Sequence, residues 1–589
     1  MWVVLIVSFV LFSLSPTLYE LSQKEKLQGR SFELVHNYIT DYNFYVSRVR
    51  QGMEGRWTVT ERYTSEPYSG SLIQIFYLLL GKIDNHAPTI LMGTTGVYHV
   101  SRVILGLVIL SLVAYLSRTL FSSFLWEVIA FLVVVTASVW PHVVPVGDTV
   151  RFGGPMSWWT LMDNLQRITF LPHLLMGQSL LLFLFIAGGS VETLKRSGNT
   201  IVLGICAFVL GMVFPPGLVF VGVGYGVMML MSFFHYPSIF KKNLIPVWLH
   251  THVLPRTLIG LISIPSFLYF FLIFTVYPGK RLVELDILHP LPFQFPEYVR
   301  ALGPTLPLGI LGLILVFFLK DRKFMGVVSW VIAWLVCLFV FQYIPQQSPL
   351  RFSEMLPHVP LGILTTYVFY MIWRVCSRVS SLSVVKTDNN SRVLSRVFSQ
   401  EYPQGDPFLG APQPASPAFI FIGKIFSLTV PMLIIVVGLG VMVSSFLWQK
   451  DFIDQKVAAG WPPIAMNNII VYPVTGFVDG LIYIEKNTPL DAIILSDMTA
   501  GNYIPSYTGR KVFVGHHNTV FLEKKLQYIE LFFQGNMVNA SQWLSDSGIG
   551  YVFWGPQEKQ HGTVHDLKTV YPFLRELYKN ADVTFYAVK

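Results

Sequence analysis

Residues 324–344 read FMGVVSWVIAWLVCLFVFQYI, a run without a single charged side chain. A helix crossing the hydrocarbon core of a bilayer needs about 20 apolar residues, and this run supplies them. Lys320, Arg322 and Lys323 stand immediately before it, as cations do at the cytoplasmic end of a spanning helix. Outward in both directions, ten further segments have the same character: 1–19, 97–117, 123–140, 170–188, 200–215, 217–234, 257–277, 302–319, 355–373 and 419–447. The first lacks a small-x-small cleavage pattern, so it reads as a retained anchor rather than a signal peptide. Eleven spans are therefore expected.

The composition agrees. Of 589 residues, 13% are charged and 53% hydrophobic, with a mean hydropathy of +0.54. A soluble globular chain carries about 25% charged residues. A disordered chain, a coiled coil and a soluble enzyme of ordinary surface are excluded. The net charge of +9 invites a nucleic-acid reading, but Lys and Arg on cytoplasmic loops produce the same excess, and no nucleic-acid partner is expected. The three cysteines, Cys206, Cys337 and Cys376, lie in or beside apolar segments without CxxC spacing, which excludes a disulfide framework or thiolate metal site.

Charge also orients the chain. Arg118, Lys195, Arg196, Lys241, Lys242, the cluster at 320–323, Arg374, Arg378, Lys386, Arg392 and Arg396 fall on alternate loops. The positive-inside rule makes those loops and the N-terminus cytoplasmic. The opposite set is then external: 20–96, 141–169, 278–301, 345–354 and the tail 448–589. The expected location is the plasma (inner) membrane, multi-pass, with an external or periplasmic tail. Residues 377–417 are rich in Ser, Asn, Gly and Pro and read as a cytoplasmic linker.

At 448 the pattern changes. Apolar runs shorten to strand length at 468–472, 491–496, 512–514, 549–554 and 583–588, with helical patterns at 523–534 and 564–579 between them. Strands alternating with helices predict an α/β unit. The fold class is thus an all-α polytopic membrane domain (1–447) followed by a C-terminal α/β soluble domain (448–589). Gly515-His516-His517 in the tail could be a metal pair; adjacent loop histidines are more often hydrogen-bonding groups.

Ionisable residues gather on the external side. The first loop carries Asp41, Tyr42, Arg48, Arg50, Glu54 and Glu66, and its apolar stretch 71–80 is too short to span and fits an interfacial helix. The second loop brings His142, Asp148, Arg151 and Asp163, with His173 opening the next span. The third has Glu284 and Asp286, and the fourth Gln347 and Arg351, with Glu354 just after it. A carboxylate such as Asp41 can take a proton from an acceptor hydroxyl. Arg351 or Arg151 can hold a phosphate bidentately, and apolar walls can hold a lipid tail. A base, a phosphate clamp and a lipid groove describe glycosyl transfer from a lipid-phosphate sugar. The Arg would stabilise the leaving phosphate, and a single displacement would invert the anomeric centre.

A retained first helix, a long external loop with an Asp and amphipathic helices, many spans and an external tail together resemble the GT-C superfamily of polyprenyl-phosphate-dependent glycosyltransferases. Protein mannosyltransferases, aminoarabinose transferases and oligosaccharyltransferase subunits belong to it. The local motif is TDYNFY (40–45), followed by RVRQG (48–52) and SEP (65–67). The tail segments GNYIPSYTGRKVFVGHH (501–517) and IGYVFWGP (549–556) look like those of uncharacterised bacterial members. The resemblance implies that Asp41 is the first-loop catalytic acid. The superfamily often has two adjacent acidic residues there, whereas Tyr42 follows Asp41 here, so Asp148, Asp163 or Glu66 is left to supply the second carboxylate. The WWD-type tail motif of oligosaccharyltransferases is absent, which argues against en bloc oligosaccharide transfer to Asn.

The expected function is a membrane glycosyltransferase that moves a sugar from a polyprenyl-phosphate donor to a glycan, lipid or protein acceptor on the external face. Arg351 and Arg151 are the phosphate-binding candidates; Gln347, Tyr42, His142 and His173 are further substrate-binding candidates. No cofactor is expected, although Asp41 with Asp148 could hold Mg²⁺. The alternatives are a polyprenyl-diphosphate-dependent polymerase or ligase and a lipid-linked glycan transporter. A transporter should show repeated halves and charged or broken helices at mid-membrane; the helix centres here are nearly free of charge.

Overall fold

The computed structural model describes the chain except residues 87–92, 155, 157–158, 235–243, 289–291, 345–347, 386–416, 467–468 and 563. Most of the expected linker therefore lies outside the described residues. Among the described residues, seven helices are long and apolar enough to cross a membrane: Thr94–Leu120, Pro172–Gly189, Pro215–Phe234, Ile245–Ile273, Arg322–Tyr343, His358–Arg378 and Ala418–Ala458. Two bent pairs raise the number to nine: Trp2–Ser13 with Ser15–Lys26, at 48°, and Phe295–Ala301 with Thr305–Leu319, at 82°. Both bends have local causes. Pro16 opens the second helix of the first pair, where its missing N–H is tolerated. Gly303, at φ 63°, and Pro304 turn the chain in the second. The two remaining expected segments form Phe124–Thr136 and Ser197–Val213, helices of 13 and 17 residues. Both are apolar and shorter than the ~20 residues of a typical crossing, so among the described residues length and composition identify seven spans, or nine with the bent pairs counted, beside these two shorter helices.

The loops on the tail side are structured. The first contains the helix Ile39–Met53 and, where an interfacial helix is expected, the helix Ile75–His86. The two cross at Gly52 and Gly81. A Cβ on Gly52 would sit 2.0 Å from the Leu78 carbonyl oxygen, and one on Gly81 1.9 Å from that of Val49; no other residue type permits this approach. The second loop holds an antiparallel hairpin, β1 (His142–Val146) and β2 (Thr149–Gly153).

The tail begins as a continuation of the membrane, because the Pro417–Ala458 helix runs on past 447 without a break. Beyond it lies a five-stranded mixed sheet built from β3 (Ile493–Leu495), β4 (Lys511–Val512), β5 (Tyr551–Trp554), β6 (Leu574–Lys579) and β7 (Thr584–Val588), in the order β4-β3-β5-β7-β6. Strand β3 pairs in parallel with β4 and β5, while β7 is antiparallel to both β5 and β6. The helix Met498–Thr508 joins β3 to β4; Asp497 caps its start, and Gly509, at φ 74°, ends it. Two expectations fail locally. Residues 564–579 carry a helical period, yet only Leu567–Val570 is helical and β6 follows. Pro572 removes a backbone donor and pushes Tyr571 out of helical geometry, to ψ 80°. The described residues of the stretch at 468–472 form no ladder: Ile469 makes an isolated bridge to Met466, and Val474 one to Arg30.

Each face of the sheet buries its own core. One face packs Leu495, Val514, Phe532, Trp554 and Tyr571. The other packs Phe477, Leu481, Tyr503, Phe553 and Phe585 together with Ile39, Phe44 and Tyr63 of the first loop. The loop and the tail therefore share one hydrophobic core.

Candidate functional site

Asp41 lies in the first turn of the Ile39–Met53 helix, where a carboxylate complements the helix dipole. The far end of that helix is held by the Gly52–Gly81 crossing. On its tail side Asn43 Nδ2 donates to Asn502 Oδ1 at 2.8 Å, Asn502 Nδ2 donates to the Thr40 carbonyl at 3.0 Å, and Tyr63 Oη donates to the Asn43 carbonyl at 3.0 Å. Beneath it Arg48 makes a buried ion pair with Glu61 at 2.6 Å, and its guanidinium lies 4.0 Å over the Phe44 ring. A rigid platform thus carries Asp41, whose own side chain is 41% exposed.

Around Asp41 stand residues from four separate segments. One turn along its helix, Tyr45 stacks on Tyr77, with ring centroids 4.6 Å apart. Tyr77 Oη lies 2.7 Å from His173 Nδ1, and the His173 ring is 5.1 Å from Tyr45. His173 follows the proline that opens the Pro172–Gly189 helix. Arg351, on the short helix Pro349–Ser353, is 51% exposed and pairs with Asp286 at 3.1 Å. Glu354, which ends that helix, is buried, and its backbone carbonyl accepts from Gln178 Nε2 at 2.9 Å.

The charges act on a common centre. Asp41 and Arg351 both reach His173, and Asp41, Arg351 and Glu354 all reach Tyr45. Burial pushes the Tyr45 hydroxyl well above its ordinary value, and the Asp41 charge adds to this. Burial also raises the Glu354 carboxyl to about 7, against the opposing pull of Arg351. Desolvation works against the Arg351 charge, but Asp286 and Glu354 outweigh it and hold the guanidinium above its ordinary value. A partly open carboxylate thus stands one turn from a cluster of aromatic rings on which the Arg351 charge also bears, and the Glu354 carboxyl near that guanidinium is raised to about 7.

Of the residues expected from sequence, Asp41 and His173 are brought to the Tyr45–Tyr77 cluster, and the Arg351 charge bears on the same groups. Tyr42 lies on the same helix but points inward, buried against Tyr98 at 5.1 Å. The others are placed elsewhere. Asp163 accepts from the backbone N–H groups of Leu165 and Gln166 and from Ser445 Oγ at 2.6 Å, so it caps a turn and ties it to the long tail-bearing helix. Glu66 pairs with the buried Lys525 at 2.8 Å and fastens the loop to the tail. Arg151 pairs with Asp451 at 2.5 Å and lies over Trp448. Asp148 is exposed at the tip of the β1–β2 hairpin, and His142 is exposed on β1. Gln347 lies outside the described residues.

Among the described residues, no three His, Cys, Asp or Glu side chains converge as metal ligands. A divalent cation takes six or more oxygens, largely from carboxylates.

Tyr45, Tyr77, Asp286, Glu354 and His516 complete the site without having been singled out for it. Tyr45 carried a signal, since position i+4 from Asp41 shares its helix face. His516 reaches Asp41 from the tail, its Nε2 3.4 Å from Asp41 Oδ1.

Over its whole length the chain aligns with 74% of the Archaeoglobus fulgidus oligosaccharyltransferase tethered with an acceptor peptide, at a TM-score of 0.51 and 13% identity. It aligns equally with 74% of AglB from the same organism in complex with an inhibitory peptide and a dolichol-phosphate, at 0.50 and 12%. The chain has the GT-C fold. ArnT from Cupriavidus metallidurans also matches, at a TM-score of 0.47 and 12% identity, over 100% of this chain and 97% of that one. No protein-family model matches the sequence, and no curated protein matches it.

Proposed function

We propose that this chain is a membrane glycosyltransferase that moves a sugar from a polyprenyl-phosphate donor to an acceptor hydroxyl, with inversion, on the tail-bearing outer face of the membrane. One observation supports the reading: one turn beyond Asp41 on its helix, Tyr45 stacks on Tyr77 and meets His173, and the charges of Asp41 and Arg351, from loops remote in sequence, both bear on that cluster. The dolichol-phosphate in the AglB structure supports a lipid-phosphate ligand for this fold.

The chemistry balances without a further reagent. The acceptor oxygen bonds to the anomeric carbon from the face opposite the phosphate, and its proton passes to Asp41. The bond from the anomeric carbon to the phosphate oxygen breaks, and the electron pair leaves on that oxygen. Arg351 meets the growing negative charge there, exchanging Asp286 for the phosphate. Glu354 replaces Asp148, Asp163 and Glu66 as the second carboxyl of the site. When protonated it leaves the Arg351 charge free for the phosphate.

The test is release of free polyprenyl phosphate by purified protein across a panel of sugar donors and acceptors. Wild type is expected to release it, and Asp41→Asn to lower kcat about 10²- to 10⁴-fold, the range of a lost general base. Equal turnover by a folded Asp41→Asn variant would remove the assignment of the base.

A further inference from the structure

His516 is held from every side. Its ring is 4% exposed and stacks on Phe44, with centroids 4.2 Å apart and planes 14° off parallel. Tyr63 closes a second side at 5.7 Å. The loop after β4 turns so that the Asn518 backbone N–H donates to His516 Nδ1 at 3.2 Å. An Nδ1 that accepts a hydrogen bond carries no proton, so the ring proton lies on Nε2. That nitrogen faces Asp41 Oδ1 at 3.4 Å. The separation exceeds the ~2.9 Å of a tight N–H···O bond, as in sites that tighten when substrate arrives.

We propose that His516 of the tail is the positioning residue of the Asp41 base. Its fixed Nε2–H donates to Asp41 Oδ1 and leaves Oδ2 turned toward the acceptor hydroxyl. The proposal rests on the transferase reading above. It also gives the tail a definite role in the reaction. The backbone amide of Asn518 sets the tautomer, and the tautomer sets the carboxylate. A ring with the opposite tautomer would present a lone pair to Asp41 and repel it. Both ring nitrogens are engaged, so the His516–His517 pair does not act as a metal pair in this arrangement.

Two substitutions separate donation from packing. His516→Phe keeps a ring against Phe44 and removes the donor; His516→Gln keeps an N–H near Nε2 and removes the ring. The expected result is a kcat loss on the order of 10- to 100-fold for His516→Phe, the scale at which supporting partners act, with donor KM and thermal midpoint unchanged. His516→Gln should recover most of that loss. Wild-type kcat in a folded His516→Phe variant would overturn the proposal. A wild type that turns over no donor would count against the transferase reading instead. The full-length protein labelled with ¹⁵N-histidine then decides the positioning role. The resonance absent from His516→Gln should show the Nε2-protonated form and shift in Asp41→Asn. An Nδ1-protonated ring, or no shift, would overturn it.

Discussion

Glu354 is where the pH of the medium enters the site. Its carboxyl is raised to about 7, first by burial and against the opposing charge of Arg351. Below that value it is protonated and neutral, and the guanidinium faces a donor phosphate with one competitor fewer. As pH rises through 7 it ionises and competes for the same guanidinium. The donor phosphodiester does not titrate in this range, so the dependence belongs to the protein. Donor KM should therefore rise between pH 6 and pH 8 by up to about tenfold, equivalent to ~1.4 kcal/mol. Glu354→Gln should hold the lower KM across the range. Steady-state titration of donor at fixed acceptor checks both. At this scale the sequence was only partly legible. Asp41, Glu66 and Asp163 are all loop carboxylates and look alike along the chain. What separates them is the partner: Lys525 for Glu66, Ser445 for Asp163, and a half-open space beside His516 for Asp41. Each partner lies hundreds of positions away, where spacing says nothing.

Among the elements, the crossing of Ile39–Met53 over Ile75–His86 determines where Asp41 points. Its tightness comes from Gly52 and Gly81, which place the two backbones in direct contact. Gly81→Ala would drive a methyl group to 1.9 Å from the Val49 carbonyl, and the helices must separate. The expected cost is about 1–3 kcal/mol, typical of overpacking. It should appear as a lowered thermal midpoint in detergent, together with reduced turnover. An alanine at the exposed Gly222, where a Cβ meets nothing within 4 Å, is the neutral control. The spanning helices were readable because twenty apolar residues in a row have few other uses. The first-loop helices were readable as amphipathic stretches, but their crossing was not, because two glycines in a loop carry no mark of the backbone they will touch. The tail strands with long apolar runs were found at β3, β4, β5 and β7. β6 was missed because Leu574, Leu577 and Tyr578 also suit a helical period, and Pro572 decided otherwise.

For the molecule as a whole, the decisive fact is that the tail has no complete core of its own. Ile39, Phe44 and Tyr63 fill the sheet face that Phe477, Tyr503 and Phe585 leave open. Arg281 in the third loop fastens the same assembly by pairing with Glu523 at 2.6 Å. A chain ending at Ala458 should therefore insert in the membrane but leave the first loop unsupported. The expected outcome is protease cleavage within 31–70 and no detectable turnover. A protected loop in that truncated chain would show that it folds alone. The shared core also imposes an order in time. Asp41 and His516 are separated by 475 positions in the chain, and a ribosome adds about 5–20 residues per second. From the moment the first loop emerges, roughly 25–95 s pass before the residue that steadies its carboxylate exists. Throughout that interval the first loop lacks the tail residues that share its core. On the proposed transferase reading, a synthesis product interrupted before His516 should be inert, which release of polyprenyl phosphate by a chain ending at Val514 checks.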